Sequence, residues 1–223
     1  MQTFATTAPV SAVLDIPAGR IRFIAADRAD TTVEVLPADA SRSRDVKAAA
    51  ETEVTFGAGF LRIAAPEPKN RILGARGSVE VTVRLPAGSR IEAKAASGEF
   101  RGVGRLGDVA FEGELATVKL DEADSARLTV SSGDVSVGRL GGDAEISIQK
   151  GAIHITEATR GAVTLRTEHG GITVGAARGV FASLDAGTSY GRIDNALKGG
   201  DGDSATLAIH ATTSYGDITA RSL

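Results

Sequence analysis

From residue 91 onward, an apolar–polar–apolar triplet recurs in two interleaved series. One series starts at Ile91, Val109, Leu128, Ile146, Val163, Ala182 and Leu207; the other starts at Phe100, Val118, Val135, Ile153, Ile172, Ile193 and Ile218. Most steps within each series are 17–19 residues, and the final step in both is 25. Alternation at period two marks half-buried strands. Two short strands per repeat, returning about every 18 residues, indicate a stacked fold in which each repeat covers its neighbours. The expectation is an all-β, two-sheet β-solenoid of about seven short coils over residues 91–223. The outer residues of each triplet face inward, among them Leu128, Val130, Ile146 and Ile148, and the middle ones face solvent.

Residues 1–90 also alternate, in VSAVLDI, GRIRFIAA, TTVEVLP, TEVTF, FLRIAA and SVEVTVRLP. The near copies Pro17-Ala18-Gly19 and Pro86-Ala87-Gly88 have turn chemistry. Ser43–Glu51 reads as a short helix and residues 66–77 as an exposed loop. This first segment is expected to continue the solenoid or to cap it, as part of one structural unit.

Composition sharpens that division. All 6 prolines lie within the first 86 residues, whereas 21 of the 27 glycines lie after residue 90. Proline cannot donate to a central ladder, so it is excluded where strands pair on both sides. Glycine supplies the positive-φ corners of a tight coil. The corners repeat Gly-acid-apolar, as in Gly98-Glu99-Phe100, Gly133-Asp134-Val135 and Gly216-Asp217-Ile218. With 4% aromatic residues and no Trp, the core is expected to be aliphatic.

Charge excludes more than it identifies. A net charge of −3 and the absence of any basic run argue against nucleic-acid binding. No apolar run is long enough to span a membrane. The N-terminal residues have neither a basic start nor a long apolar core, which gives a cytoplasmic expectation. Without Cys there is no disulfide or thiolate site.

Several residue types could carry chemistry. His154, His169 and His210 have no zinc-motif spacing and are expected on the surface. Asp134 and Asp143 lack the glycine pattern of calcium β-rolls, so corner capping is the expected role of such aspartates. Gly102–Gly107 spells G-x-G-x-x-G but has no helix after it to cradle a phosphate. Asp121-Glu122-Ala123-Asp124 reads as a solvated corner. No catalytic, cofactor or metal residues are assigned. Thr129, Ser147, Thr164 and Ser183 form a candidate interaction face if they align as a hydroxyl column. Tyr190 and Tyr215, the only 2 tyrosines, occupy equivalent places in successive coils. Their rings should stack, as a platform for a sugar or partner chain or as a plug for the end of the core.

The corners Ser97-Gly98-Glu99 and Ser132-Gly133-Asp134, the stretch LDIPAGRIRF, and the closing segments DAGTSYGRIDNAL and IHATTSYGDITAR resemble the bacterial putative-adhesin β-strand-repeat family. That family is a domain of unknown function common in actinobacteria. Thr188-Ser189-Tyr190-Gly191 and Thr213-Ser214-Tyr215-Gly216 are the most specific of these motifs. The resemblance implies a β-solenoid-like fold, no established enzymatic activity and, from the adhesin label, exposure at a cell surface. Together these readings lead to a non-catalytic scaffold or interaction module, with a protein partner or self-association and with glycans as a further ligand class. The alternatives are a surface adhesin, an enzyme working in a solenoid groove, and a filament subunit that pairs through the edge left at residues 216–220.

Overall fold

The computed structural model describes residues 1–65, 77–198 and 205–223. The chain is all-β with one helix among these residues. Its first part comprises β1 (Gln2–Ala5), β2 (Ser11–Ala26), β3 (Asp30–Pro37), α1 (Ser43–Glu51), β4 (Glu53–Gly57), β5 (Phe60–Ala64) and β6 (Val79–Pro86). There follow β7 (Arg90–Ser132), β8 (Val135–Leu140), β9 (Ala144–Lys150), β10 (Ile153–Ala158), β11 (Gly161–His169) and β12 (Ile172–Ala176). The last four are β13 (Ala182–Tyr190), β14 (Ile193–Ala196), β15 (Leu207–Tyr215) and β16 (Ile218–Ser222).

The triplets become strands as expected, but several corners are not turns. β7 runs for 43 residues as unbroken extended chain, and it includes Asp121-Glu122-Ala123-Asp124. The same holds in β2, where Pro17-Ala18-Gly19 was expected to turn. Ala18 and Gly19 instead pair with Ser97 and Gly98. Only the second copy, at Ala87-Gly88, turns. The expected loop at residues 66–77 lies outside the described residues except for Gly77, and residues 199–204 of the polar insertion at Asn195–Ser204 lie outside them as well.

Two parallel ladders run along the molecule. One joins β7 to β8, β10, β12, β16 and β14 in that order; the other joins β7 to β9, β11, β15 and β13. At the opposite end, β1 pairs antiparallel with β3, β3 with β6, and β4 with β5. Asp45 of α1 is buried and accepts the Ser78 amide at 3.0 Å, which ties the helix to the start of β6.

The core is mostly Val, Ile, Leu and Ala, with one departure from the aliphatic expectation. Phe23, Phe100 and Phe111 are all buried and meet ring to ring, at 5.9 Å and then 4.8 Å. Aromatic mass is therefore concentrated in the first coils.

One corner is a column of glycines. A Cβ on Gly133 would lie 2.1 Å from the Ala116 carbonyl oxygen, one on Gly151 2.1 Å from that of Gly133, and one on Gly170 2.0 Å from that of Gly151. A Cβ on Gly216 would lie 2.0 Å from Gly170 O, and one on Gly191 1.9 Å from Gly216 O. No side chain fits between successive turns of backbone here, which is why glycine returns at this position.

The order along this column also corrects the expected ending. The coil at residues 207–222 does not close the stack. β15 pairs with β11 on one side and β13 on the other, and β16 lies between β12 and β14. Residues 216–220 are therefore not an edge, and among the described residues β13 and β14 are. Burial gives the reason. At the inward position where β16 places Ala220, β14 places Asn195, which among the described residues accepts only the nearby Leu197 amide at 3.1 Å. Burying an unpaired amide costs about 1–3 kcal/mol. The more apolar coil therefore takes the interior, and Ile193 of β14 remains 46% exposed.

Candidate functional site

The residue before each corner glycine projects along one ridge. Ser132 pairs with Lys150, Lys150 with His169, His169 with Tyr215, and Tyr215 with Tyr190. Strand spacing of about 4.8 Å brings equivalent side chains within reach of one another. The rings of His169 and Tyr215 stack at 4.9 Å with 11° between planes, and those of Tyr215 and Tyr190 at 4.9 Å with 3°. The expected tyrosine stacking is present, but the rings do not plug the core. Tyr215 is 51% exposed and Tyr190 67%.

Each member of Thr-Ser-Tyr-Gly has a local role. The Thr188 hydroxyl donates to Gly216 O and the Thr213 hydroxyl to Gly170 O, each at 3.0 Å. Thr167 donates to Gly151 O at the same distance, so Thr167-Glu168-His169-Gly170 is a third copy with an imidazole for the ring. His169 is exposed, as expected, but its ring also belongs to the stack. The Thr-x-ring-Gly spacing was the signal that placed it in the stack.

The corner aspartates bind across coils. Asp134 accepts the Ala152 amide, Asp143 the Ala162 amide and Asp217 the Arg192 amide, each at 2.8 Å. Each ties its corner to the next coil in space. For Asp217 that is the coil that precedes it in sequence.

Thr129, Ser147, Thr164 and Ser183 do not align as one hydroxyl column. Thr129 lies beside Ser147, but Ser147 then faces Arg166. Thr164 lies between Glu145 and His210, and Ser183 beside Ala208. β11 enters its ladder two residues earlier than the triplet pattern indicates, which shifts the column. The opposite face keeps its register through Ser136, His154, Thr173, Thr219 and Asp194.

His154 is exposed and lies 3.3 Å from the Thr156 hydroxyl. His210 Nδ1 is 2.9 Å from Asp185 Oδ2, an exposed pair on the outer face of β15 and β13. The carboxyl of Asp39 is held below its ordinary value, mainly by the Ser41 hydroxyl, and the Lys94 amine is raised by its hydrogen bond to Glu112. Neither belongs to the ridge. Among the described residues, no group of three or more His, Cys, Asp or Glu side chains converges as a metal site. No helix there is long and apolar enough to cross a membrane.

Solved structures similar to the chain include a putative cell adhesion protein from Clostridium sporogenes, at 11% identity and a TM-score of 0.42, covering 100% of this chain and 98% of that one. A putative adhesin from Bacteroides fragilis has 13% identity and a TM-score of 0.46, covering 98% and 95%. A putative lipid binding protein from Parabacteroides distasonis has 10% identity and a TM-score of 0.44, with the same coverage of 98% and 95%. No curated protein matches the chain. The family model described as Toastrack DUF4097 matches residues 14–222, and the chain belongs to that family.

Proposed function

We propose that this chain is a non-catalytic interaction module, a β-solenoid scaffold that presents the ridge of its last coils to a macromolecular partner. The observation that carries this reading is the exposure of the His169–Tyr215–Tyr190 stack. Aromatic side chains carry large apolar area and a polar tip, and they are enriched where proteins bind one another. Here the backbone fixes them in line, so little freedom is lost when a partner covers them.

The scaffold is read as two facing sheets wound into seven coils, with residues 1–90 capping the first coil as part of one unit. The parallel registers Ile153↔Ile172 and Val163↔Ile209 support that winding. The pairing of β2 along Arg90–Val103 supports the continuity. Surface adhesion is the form of this reading that requires export and a glycan or protein ligand.

The test compares the full chain with Tyr190→Ser on peptide and glycan arrays, using circular dichroism to establish that both are folded. Ligands retained by the parent and lost by the variant are expected. An identical pattern for both chains, or no ligand for either, would refute the reading.

A further inference from the structure

The exposed end of the stack is an unused copy of a joint that the chain makes twice. Between β11 and β15, the Gly170 amide donates to Tyr215 O at 2.9 Å and the Thr213 hydroxyl donates to Gly170 O at 3.0 Å. The rings of His169 and Tyr215 stack across the same joint. Between β15 and β13 all three contacts recur. The Gly216 amide donates to Tyr190 O at 2.9 Å, the Thr188 hydroxyl to Gly216 O at 3.0 Å, and Tyr190 stacks on Tyr215. At the next step, among the described residues, the Gly191 amide has no acceptor and the Gly191 carbonyl no donor. The outer face of Tyr190 likewise meets no further ring. Around them Phe181 is 51% exposed, and Leu184 and Ala186 are only partly buried.

From this geometry we infer that β13 and its Tyr190-Gly191 corner form a docking edge for an extended segment of a partner protein carrying Thr-x-aromatic-Gly. The segment adds in parallel to β13 as one more rung. Its threonine donates to Gly191 O, its ring lies on Tyr190, and its glycine clears the Gly191 backbone. Strand addition at an open edge obtains affinity from main-chain bonds and specificity from alternate side chains. The interior joints define both here, so the partner's chemistry follows from an interface the chain already contains.

A second copy of this chain is a poorer occupant. Its β15 is paired on both sides, and its β13 has already committed Thr188 and Gly191 to β15. The inference rests on the interaction-module reading, and the experiment below separates the two.

The probe is the nonapeptide Ala-Thr-Thr-Ser-Phe-Gly-Asp-Ile-Thr, which follows residues 211–219 with Phe as the ring. It is titrated into the isotope-labelled full chain. Because the chain has no Trp and only 2 Tyr, both in the stack, tyrosine emission reports this ridge alone. Saturable shifts of the Gly191 and Tyr190 amides are expected, with a matching change in tyrosine emission. A peptide with Val for Gly should bind at least about tenfold more weakly, because its Cβ would press on the Gly191 carbonyl. The Tyr190→Ser chain should lose affinity for the parent peptide. Unmoved Gly191 and Tyr190 amides, or equal binding of the Val peptide, would overturn the docking edge. If chitohexaose or another array glycan perturbs tyrosine emission where the peptide does not, the docking edge falls and the interaction module stands. If neither ligand acts, both fall.

Discussion

The glycine column allows a graded stability test within one chain. Gly133 has φ +135, and an added Cβ would sit 2.1 Å from Ala116 O, far inside contact distance. Gly179 has φ +77 with open space around it, and Gly187 has open space without a positive φ. Alanine at Gly187 should therefore change stability by less than roughly 0.5 kcal/mol. At Gly179 it pays only for the left-handed backbone, about 1–2 kcal/mol. At Gly133 the backbone strain of roughly 1–3 kcal/mol is joined by a clash that pushes the corner off its neighbour. That displacement threatens the 2.9 Å bond from the Gly133 amide to Lys150 O, and a buried donor left unpaired costs about 1–3 kcal/mol. The total for Gly133→Ala is then roughly 2–6 kcal/mol. At about 2–4 °C per kcal/mol for a chain of this size, the midpoint should fall by roughly 4–24 °C. Differential scanning calorimetry of the three variants should rank them Gly187, Gly179, Gly133 in order of increasing loss. If Gly133→Ala melts with Gly187→Ala, the close-approach argument for the column is wrong.

Asp217→Ala should loosen the end coil and little else, raising hydrogen exchange across residues 192–196 while β8 and β10 keep their protection; Asp134→Ala, at an exposed corner midway along the stack, should lower global stability by about 1–2 kcal/mol. Ser41→Ala should raise the Asp39 pKa toward its ordinary value, as read by carbon NMR titration, since the Ser41 hydroxyl is the main cause of its depression. Because that folded-state value lies below the unfolded one, the associated stability is present above the unfolded value of 3.8 and fades as pH falls through the depressed value, with Ser41→Ala showing less of this acid dependence. Circular dichroism in EDTA and in millimolar calcium should superimpose; a calcium-induced gain of β signal would show that the corner aspartates bind the ion.

Strands and ridge differed in how far the sequence revealed them. Triplets such as Ile153/Ile155 and Ile172/Val174 were readable because alternation and glycine corners reinforce each other. Helix α1 was readable because Ser43–Glu51 drops the period-two alternation without any Gly or Pro. The hydroxyl column failed because Gly161-Ala162 extend β11 at its start, a shift that leaves the triplet pattern intact but moves Thr164 away from Ser147. The order of the last coils was hidden for a different reason. Thr-Ser-Tyr-Gly is the same in both, so local pattern cannot rank them. The choice rests on Asn195 against Ala220, a burial cost that appears only once a coil must be covered on both sides. His169 was missed because its ring belongs to a motif whose other copies carry tyrosine.

The insertion of β15 and β16 one rung from the end bears on how the chain is made. Domains fold from the N-terminus as synthesis proceeds, so residues 182–196 are made before residues 207–222 and leave the ribosome ahead of them. At that moment the open rung beside β11 and β12 can be met by β13 and β14, which carry the same Thr-Ser-Tyr-Gly register. The final arrangement then requires the earlier coil to yield its place to the later one. The nascent protein would thus pass through a differently ordered stack, and its last folding step would be a displacement rather than an addition.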